Sequence, residues 1–198
     1  MVTTIAQSPV LWPRLADAAA FAYHIHGEQR RKGTTIPYIA HLMSVAALVL
    51  EHGGDEDQAI AGLLHDTIED VGAEQGAVIN DRFGPGVASI VRACSDTDII
   101  PKLPWQERKE AYIEHLEHAD DDVLVVSACD KLHNARAIVS DLTTHGQAMF
   151  VRFNGGREGT LWYYKTLAEV FSRRLPGPLA AELSKTVREM QSISETAR

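Results

Sequence analysis

The sequence predicts an all-α helical bundle. Three observations lead there. Apolar residues recur at helical spacing along most of the 198 residues. The breaks between these stretches are glycines, prolines and acidic residues of the kind that start and stop helices. No alternating strand run of convincing length occurs, and there is no repeat and no low-complexity tract.

Taken in order, residues 12–32 place Trp12, Leu15, Ala16, Ala19, Ala20 and Tyr23 at helical spacing. His41–His52 and Glu56–Asp70 follow, with Gly53-Gly54 as the stop between them. Residues 73–82, 85–93, 105–117 and 121–142 continue the pattern, punctuated by Gly84, Pro104 and the run Asp120-Asp121-Asp122. Those three aspartates read as capping residues, because carboxylates near a helix start meet its unpaired N–H groups. Gly155-Gly156-Arg157-Glu158-Gly159 reads as a loop leading into a helix over 161–174. Pro176-Gly177-Pro178 ends that helix, and 180–190 forms a last one. The expected organisation is one domain over 1–198, with a core of about 15–175 and a C-terminal helix over 178–195.

Composition bounds the function. A chain that is 45% hydrophobic can bury a substantial core. It has no apolar run of the roughly 18 residues that a membrane span needs. The start, Met1-Val2-Thr3-Thr4-Ile5-Ala6-Gln7, lacks the basic and apolar regions of a secretory signal, so a cytoplasmic location is expected. Cys94 and Cys129 both sit in apolar runs and read as buried small hydrophobes rather than a disulfide. The net charge of −8, from 19 basic and 27 acidic residues, argues against a nucleic-acid surface. An anionic small molecule remains compatible if positive charge is local, and Arg30-Arg31-Lys32, Arg108-Lys109 and Lys131 supply it.

The most telling segment is His65-Asp66-Thr67-Ile68-Glu69-Asp70, at the end of the apolar run Ala61-Gly62-Leu63-Leu64. Four ionisable groups in six residues are costly at the buried end of a helix unless a cation or a substrate compensates them. On a continuous helix over 57–70, Asp66, Glu69 and Asp70 would share one face with His65 beside them. Two other segments can complete a site. His41 opens the apolar stretch Leu42–Leu50, and Asp130 emerges from Val123–Cys129. His41, His65, Asp66 and Asp130 form a mixed nitrogen and oxygen ligand set suited to Mn²⁺, and also to Fe²⁺, Co²⁺ or Zn²⁺. Glu69, or Asp70, is then placed to orient a water or take its proton. Lys102, Arg108 and Lys109 are candidates to neutralise a transferred phosphoryl group, or else are exposed charges on an amphipathic helix.

The order His…His-Asp…Asp resembles the HD superfamily of metal-dependent phosphohydrolases. Longer strings resemble the hydrolase domain of the RelA/SpoT homologues: Gln29-Arg30-Arg31-Lys32 before Pro37-Tyr38-Ile39-Ala40-His41, then Leu64-His65-Asp66-Thr67-Ile68-Glu69-Asp70, Phe83-Gly84-Pro85-Gly86-Val87, and Asp130-Lys131-Leu132-His133-Asn134-Ala135-Arg136. The resemblance covers about residues 15–175 and implies an HD-domain helical bundle with its metal site between helices. It implies Mn²⁺-dependent removal of the 3′-pyrophosphate from guanosine 3′-diphosphate 5′-di- or triphosphate, leaving GDP or GTP. Adenosine analogues stay open as substrates.

The same resemblance implies roles for substrate-binding residues. Arg31 with Lys32 would engage the base and nearby phosphates, since an arginine plane can both stack and grip phosphate. Asn134 would reach a sugar hydroxyl; from its own position Tyr38 would pack on the ribose or base, or else is a core residue before a helix. Lys131 and Arg136 would serve the phosphates or support the ligands. Only about 25 residues follow Arg173, which suits a stand-alone small alarmone hydrolase. Two alternatives stay open: an HD-type phosphomonoesterase acting on nucleoside monophosphates or NADPH, and a non-catalytic nucleotide-binding regulator.

Overall fold

The structure is a computed structural model that describes residues 12–95 and 103–196. Among these residues there is no strand, and one isolated bridge pairs Arg30 with Pro37. The helices are α1 (Pro13–His26), α2 (Ile39–Glu51), α3 (Glu56–Leu64), α4 (Thr67–Asp70), α5 (Gln75–Phe83), α6 (Pro85–Cys94), α7 (Trp105–His118), α8 (Asp121–His145), α9 (Gly156–Arg174) and α10 (Pro178–Thr196). A 3₁₀ helix, Gly146–Arg152, joins α8 to α9. The all-α expectation holds. No helix among the described residues is long and apolar enough to cross a membrane.

Helix α3 is the centre of the bundle. Every residue from Ala59 to Leu64 is buried, because α1, α2, α6 and α8 surround it. A helix buried on all sides needs small residues at its crossings, and Gly62 meets this need. A Cβ at Gly62 would sit 3.2 Å from Ala46 Cα, so its absence lets α2 and α3 pack backbone to backbone. That approach brings the start of α2 beside the end of α3. Helix α8 is the long spine, packing on α2, α3, α6, α9 and α10. Leu124, Leu132 and Leu142 along it are buried, as are Leu167 and Phe171 of α9. Fully burying one such side chain is worth about 1.5–3 kcal/mol.

Four local expectations change. The first helix stops at His26 rather than Lys32. Gly27 follows, and Arg31 N–H bonds Ile36 C=O at 2.9 Å while Tyr38 N–H bonds Gln29 C=O at 2.9 Å, closing a turn over 27–38. The stretch 56–70 is two helices rather than one, and His65 and Asp66 form the joint. There His65 Nδ1 donates back to Gly62 C=O at 2.8 Å, and the side chains of the joint turn to other elements instead of extending the ladder.

The Gly155–Gly159 segment is the first turn of α9 and not a loop. Its glycines serve a close approach: a Cβ at Gly155 would lie 2.6 Å from the Trp105 ring, and one at Gly159 would lie 3.0 Å from it. Finally, Asp120 sits at the start of α8 without a side-chain cap bond, and Asp122 instead accepts from Gln58 Nε2 at 2.9 Å. The capping box is at α3, where Asp55 and Gln58 each bond the other's backbone N–H at 2.9 Å. Cys129 is buried, Cys94 is partly so, and both are free thiols, in keeping with the reading from the sequence.

Candidate active site

Five of the nine buried polar residues among the described residues gather in one place. His26 ends α1, His41 starts α2, His65 ends α3, Thr67 starts α4, and Asp130 lies mid-way along α8; all five are buried. Candidate ligand atoms of His41, His65 and Asp66 lie within 4.8 Å of one another. Asp130 Oδ1 approaches both rings, at 3.2 Å from His41 Nε2 and 3.5 Å from His65 Nε2. The four residues proposed as ligands therefore converge from two helices, α2 and α8, and from the joint between α3 and α4.

Tautomers show what the cluster requires. His65 Nδ1 faces the Gly62 carbonyl, which only accepts, so Nδ1 carries the hydrogen and Nε2 of the neutral ring is bare. That Nε2 is buried without a hydrogen-bond partner, although Asp66 Oδ2 lies 3.0 Å away. A lone pair faces a carboxylate, and only a positive charge reconciles them. Burial alone would pull the His65 ring below its usual range. Asp66 and Asp130 outweigh burial and hold the ring's pKa well above that range, so the carboxylates draw a positive charge to this nitrogen. Burial pushes Asp66 upward, but His65 and His41 hold its carboxyl well below the usual carboxylate range. Asp130 is likewise held low against burial, by Lys131, His65 and His41. Two bare imidazole nitrogens and two ionised carboxylates fit a divalent ion.

The supporting contacts are as specific as the cluster. His41 Nδ1 lies 2.8 Å from His133 Nδ1. Burial, with His41 and Arg31 beside it, pushes the His133 ring down to about 4, so His133 is neutral and its Nδ1 can accept. Tyr38 donates its hydroxyl to Asp66 Oδ2 at 2.5 Å. Asp130 pairs with Lys131 through Oδ2 and accepts from Asn134 Nδ2 at 2.5 Å through Oδ1. Asn134 Oδ1 in turn accepts from Arg31 at 2.9 Å. Ligand-supporting partners of this type fix ring orientation and ligand basicity.

Beside the cluster opens a cavity of about 470 Å³, large enough for a nucleotide-sized ligand. Its lining includes Arg31, Lys32, Tyr38, Glu69, Arg108, Lys109 and Asn134, seven of the residues singled out in the sequence. Lys102 falls outside the described residues. Asp70 does not line the cavity; it accepts from Gln29 Nε2 at 2.7 Å. Arg30 donates to Thr35 C=O at 2.7 Å, away from the cavity, which leaves Arg31 and Lys32 as the basic pair facing it.

Several contributors have no role assigned from sequence. Trp105, Tyr163 and Tyr164 form an aromatic wall, and Lys109 Nζ sits 5.1 Å from the centre of the Tyr163 ring. Arg152, paired with Asp141 at 2.9 Å, adds a cation on the same wall as Lys32. His133 and Gln29 belong to quoted strings, and only spatial contact reveals what they touch. The sole sequence signal for Trp105 was the Gly155–Gly159 spacing, which suits an aromatic ring lying across one helix turn.

Comparison with known proteins agrees with this picture. A family model described as HD domain matches residues 18–161. The Xenopus tropicalis guanosine-3′,5′-bis(diphosphate) 3′-pyrophosphohydrolase MESH1 is 38% identical over 125 residues, covering 62% of this chain and 68% of that protein. A probable guanosine-3′,5′-bis(diphosphate) 3′-pyrophosphohydrolase of Synechocystis is 37% identical over 129 residues, which is only 16% of its length. Among solved structures, a metazoan orthologue of SpoT that hydrolyses ppGpp superposes with a TM-score of 0.76 at 25% identity, over 92% of this chain and 98% of that one. A Listeria monocytogenes protein superposes with a TM-score of 0.66 at 27% identity, over 78% of this chain and 99% of its own. With two histidines and two aspartates gathered between the helices and the family model spanning the segments that carry them, the chain belongs to the HD domain family.

Proposed function

We propose that the protein hydrolyses the 3′-pyrophosphate of guanosine 3′-diphosphate 5′-di- or triphosphate, releasing pyrophosphate and GDP or GTP. The observation that carries this reading is the pair of buried imidazole nitrogens facing two carboxylates beside a cavity lined by cations. The named activity of the MESH1 relative supports it over a phosphomonoesterase reading.

In this reading His41, His65, Asp66 and Asp130 would hold one divalent ion, with Mn²⁺ as the preferred metal. Such an ion lowers the pKa of a bound water and polarises a phosphoryl oxygen. Glu69 lines the cavity one turn beyond Asp66, where it can orient the attacking water and take its proton. The ester bond between the ribose 3′ oxygen and the pyrophosphate breaks; water supplies hydroxyl to phosphorus and a proton to the ribose oxygen. Arg108 and Lys109 on α7 offset the charge of the pyrophosphoryl group as it passes from the ribose oxygen to water. Arg31 and Lys32 engage the base and adjacent phosphates, Asn134 the sugar, and Tyr38 the ribose while it steadies Asp66. A cytoplasmic setting and the absence of a nucleic-acid partner belong to the same proposal.

The decisive experiment incubates Mn²⁺-loaded protein with guanosine and adenosine 3′-pyrophosphates, a nucleoside 3′-monophosphate and NADPH, and identifies the products. Pyrophosphate release from the guanosine compound is expected. Orthophosphate release from the monophosphate or NADPH alone would replace this reading with the phosphomonoesterase.

A further inference from the structure

The 27–38 turn holds the His65–Asp70 segment at both ends. At one end Tyr38 donates to Asp66. At the other, Gln29 Nε2 donates to Asp70 Oδ2 at 2.7 Å. Gln29 is itself fixed by both its backbone groups: its N–H bonds His26 C=O at 2.9 Å and its C=O accepts from Tyr38 N–H at 2.9 Å. Behind it, His26 Nδ1 lies 2.6 Å from Gln29 Oε1, and His26 Nε2 lies 3.3 Å from Thr67 Oγ1. His26 and Thr67 are both buried, so neither can turn to water instead.

A single boundary condition orders every proton in this chain. An ionised Asp70 only accepts, so Gln29 must present its amide N–H₂ there. Its carbonyl oxygen then faces His26, and His26 Nδ1 must donate. His26 Nε2 is left bare and accepts a hydrogen bond from the Thr67 hydroxyl. Thr67 starts α4, and Asp70 ends it. Helix α4 is four residues long, and its backbone bonds include Asp70 N–H to Asp66 C=O at 2.9 Å and Val71 N–H to Thr67 C=O at 3.0 Å. Side-chain bonds from a neighbouring element therefore weigh heavily in setting how so short a helix points its carboxylates.

We infer that Gln29, backed by His26, is a positioning residue that aims the Asp70 carboxylate, through the directed chain Thr67 to His26 to Gln29 to Asp70. The role of Asp70 in the reaction rests on the function proposed above; the chain of contacts does not. It separates the two adjacent carboxylates: Glu69 faces the cavity, and Asp70 accepts from Gln29 of the 27–38 turn.

The test is a double-mutant cycle between Gln29→Leu and Asp70→Ala, with two readouts. In denaturant unfolding of the metal-stripped protein, the two substitutions should be non-additive, because each breaks the same bond. In steady-state kinetics Gln29→Leu should lower kcat by about 10- to 100-fold, the scale of a misplaced catalytic group. KM should move less than about twofold and Mn²⁺ affinity should hold, while in the Asp70→Ala background Gln29→Leu should cost nothing further. His26→Asn, whose amide can replace the Nδ1 donor, should retain turnover that His26→Leu loses. Additive stability effects overturn the contact. Coupled stability with an equal kcat loss in both backgrounds overturns the positioning role. A wild type that leaves the guanosine pyrophosphate intact counts against the proposed function, and the stability cycle then still decides on the chain.

Discussion

His133 Nδ1 lies 2.8 Å from His41 Nδ1, so one ring must donate to the other. Because His133 is held neutral, the arrangement that leaves His41 Nε2 bare is His41 donating and His133 accepting. His133 thereby selects the tautomer in which His41 can bind a cation. His133→Leu should weaken Mn²⁺ binding by about 10- to 100-fold, the usual cost of losing such a partner. His133→Asn keeps an acceptor and should bind nearly as wild type does. Calorimetric titration of stripped protein checks both.

The same ring predicts a pH signature. In an unfolded chain His133 titrates near about 6.5, and in the fold near about 4. Above the upper value neither state carries the proton, so His133 adds no slope. Between the two, the unfolded chain takes a proton that the fold refuses, and stability falls as pH falls. Below the lower value the slope vanishes. Metal-stripped wild type should therefore lose Tm through this window more steeply than His133→Asn. Parallel curves for the two proteins would show that His133 is not held neutral.

Asp66→Ala removes a candidate ligand and the partner of Tyr38 at once. Bound metal, read by elemental analysis, should drop to background, and turnover with it. Full occupancy in this variant would remove Asp66 from the ligand set.

Glu69→Gln is nearly isosteric and leaves the His41–His65–Asp66 cluster intact. It should retain metal and nucleotide affinity while kcat falls by roughly 10²-fold or more. An unchanged kcat would make Glu69 a lining residue only and shift the base role to Asp70.

The two basic walls should separate kinetically. Arg31→Ala is expected to act mainly on KM, since stacking is felt alike in ground and transition states. Lys109→Ala and Arg108→Ala should lower kcat, where charge on the transferred pyrophosphoryl group matters. On the aromatic wall, Gly155→Ala would place a methyl 2.6 Å from Trp105 and should destabilise by about 1–3 kcal/mol, with KM rising as the ring is displaced. Gly159→Ala, at 3.0 Å, should cost less. Equal Tm values for both variants and wild type would show that the Trp105 ring is not confined there.

How much of this was legible in the sequence depends on the distance over which each feature is encoded. Helices α2, α6, α7 and α8 follow from apolar spacing and local stop residues, and their bounds agree with the sequence reading within about three residues. The His65–Asp66 joint did not, because what breaks the helix there is a set of contacts to Tyr38 and to residues of α1, remote in sequence. The four candidate ligands stood out as charges emerging from apolar runs. Their supports did not: His133 is one of nine histidines, and only its 2.8 Å contact with His41 separates it from a surface ring. The Gly155–Gly159 segment was misread for a related reason. A glycine needed for a crossing ring looks the same, in one dimension, as a glycine needed for a loop.

Helix α8 carries Asp130, Lys131, His133 and Asn134 within a single turn and more, and Ala137, Ile138 and Asp141 further along the same rod line the cavity. Such a shared mount gives the site an asymmetric capacity for change. A rotation of α8 by a few degrees would alter the candidate ligand, its counter-charge, the His41 partner and the proposed sugar contact together, so substitutions that disturb its seating on α10 should behave as all-or-none. The turn over 27–38 and the segment around Arg152–Asn154 sit on separate supports. New substrate preferences should therefore be selectable there in graded steps, with the metal-binding half left untouched.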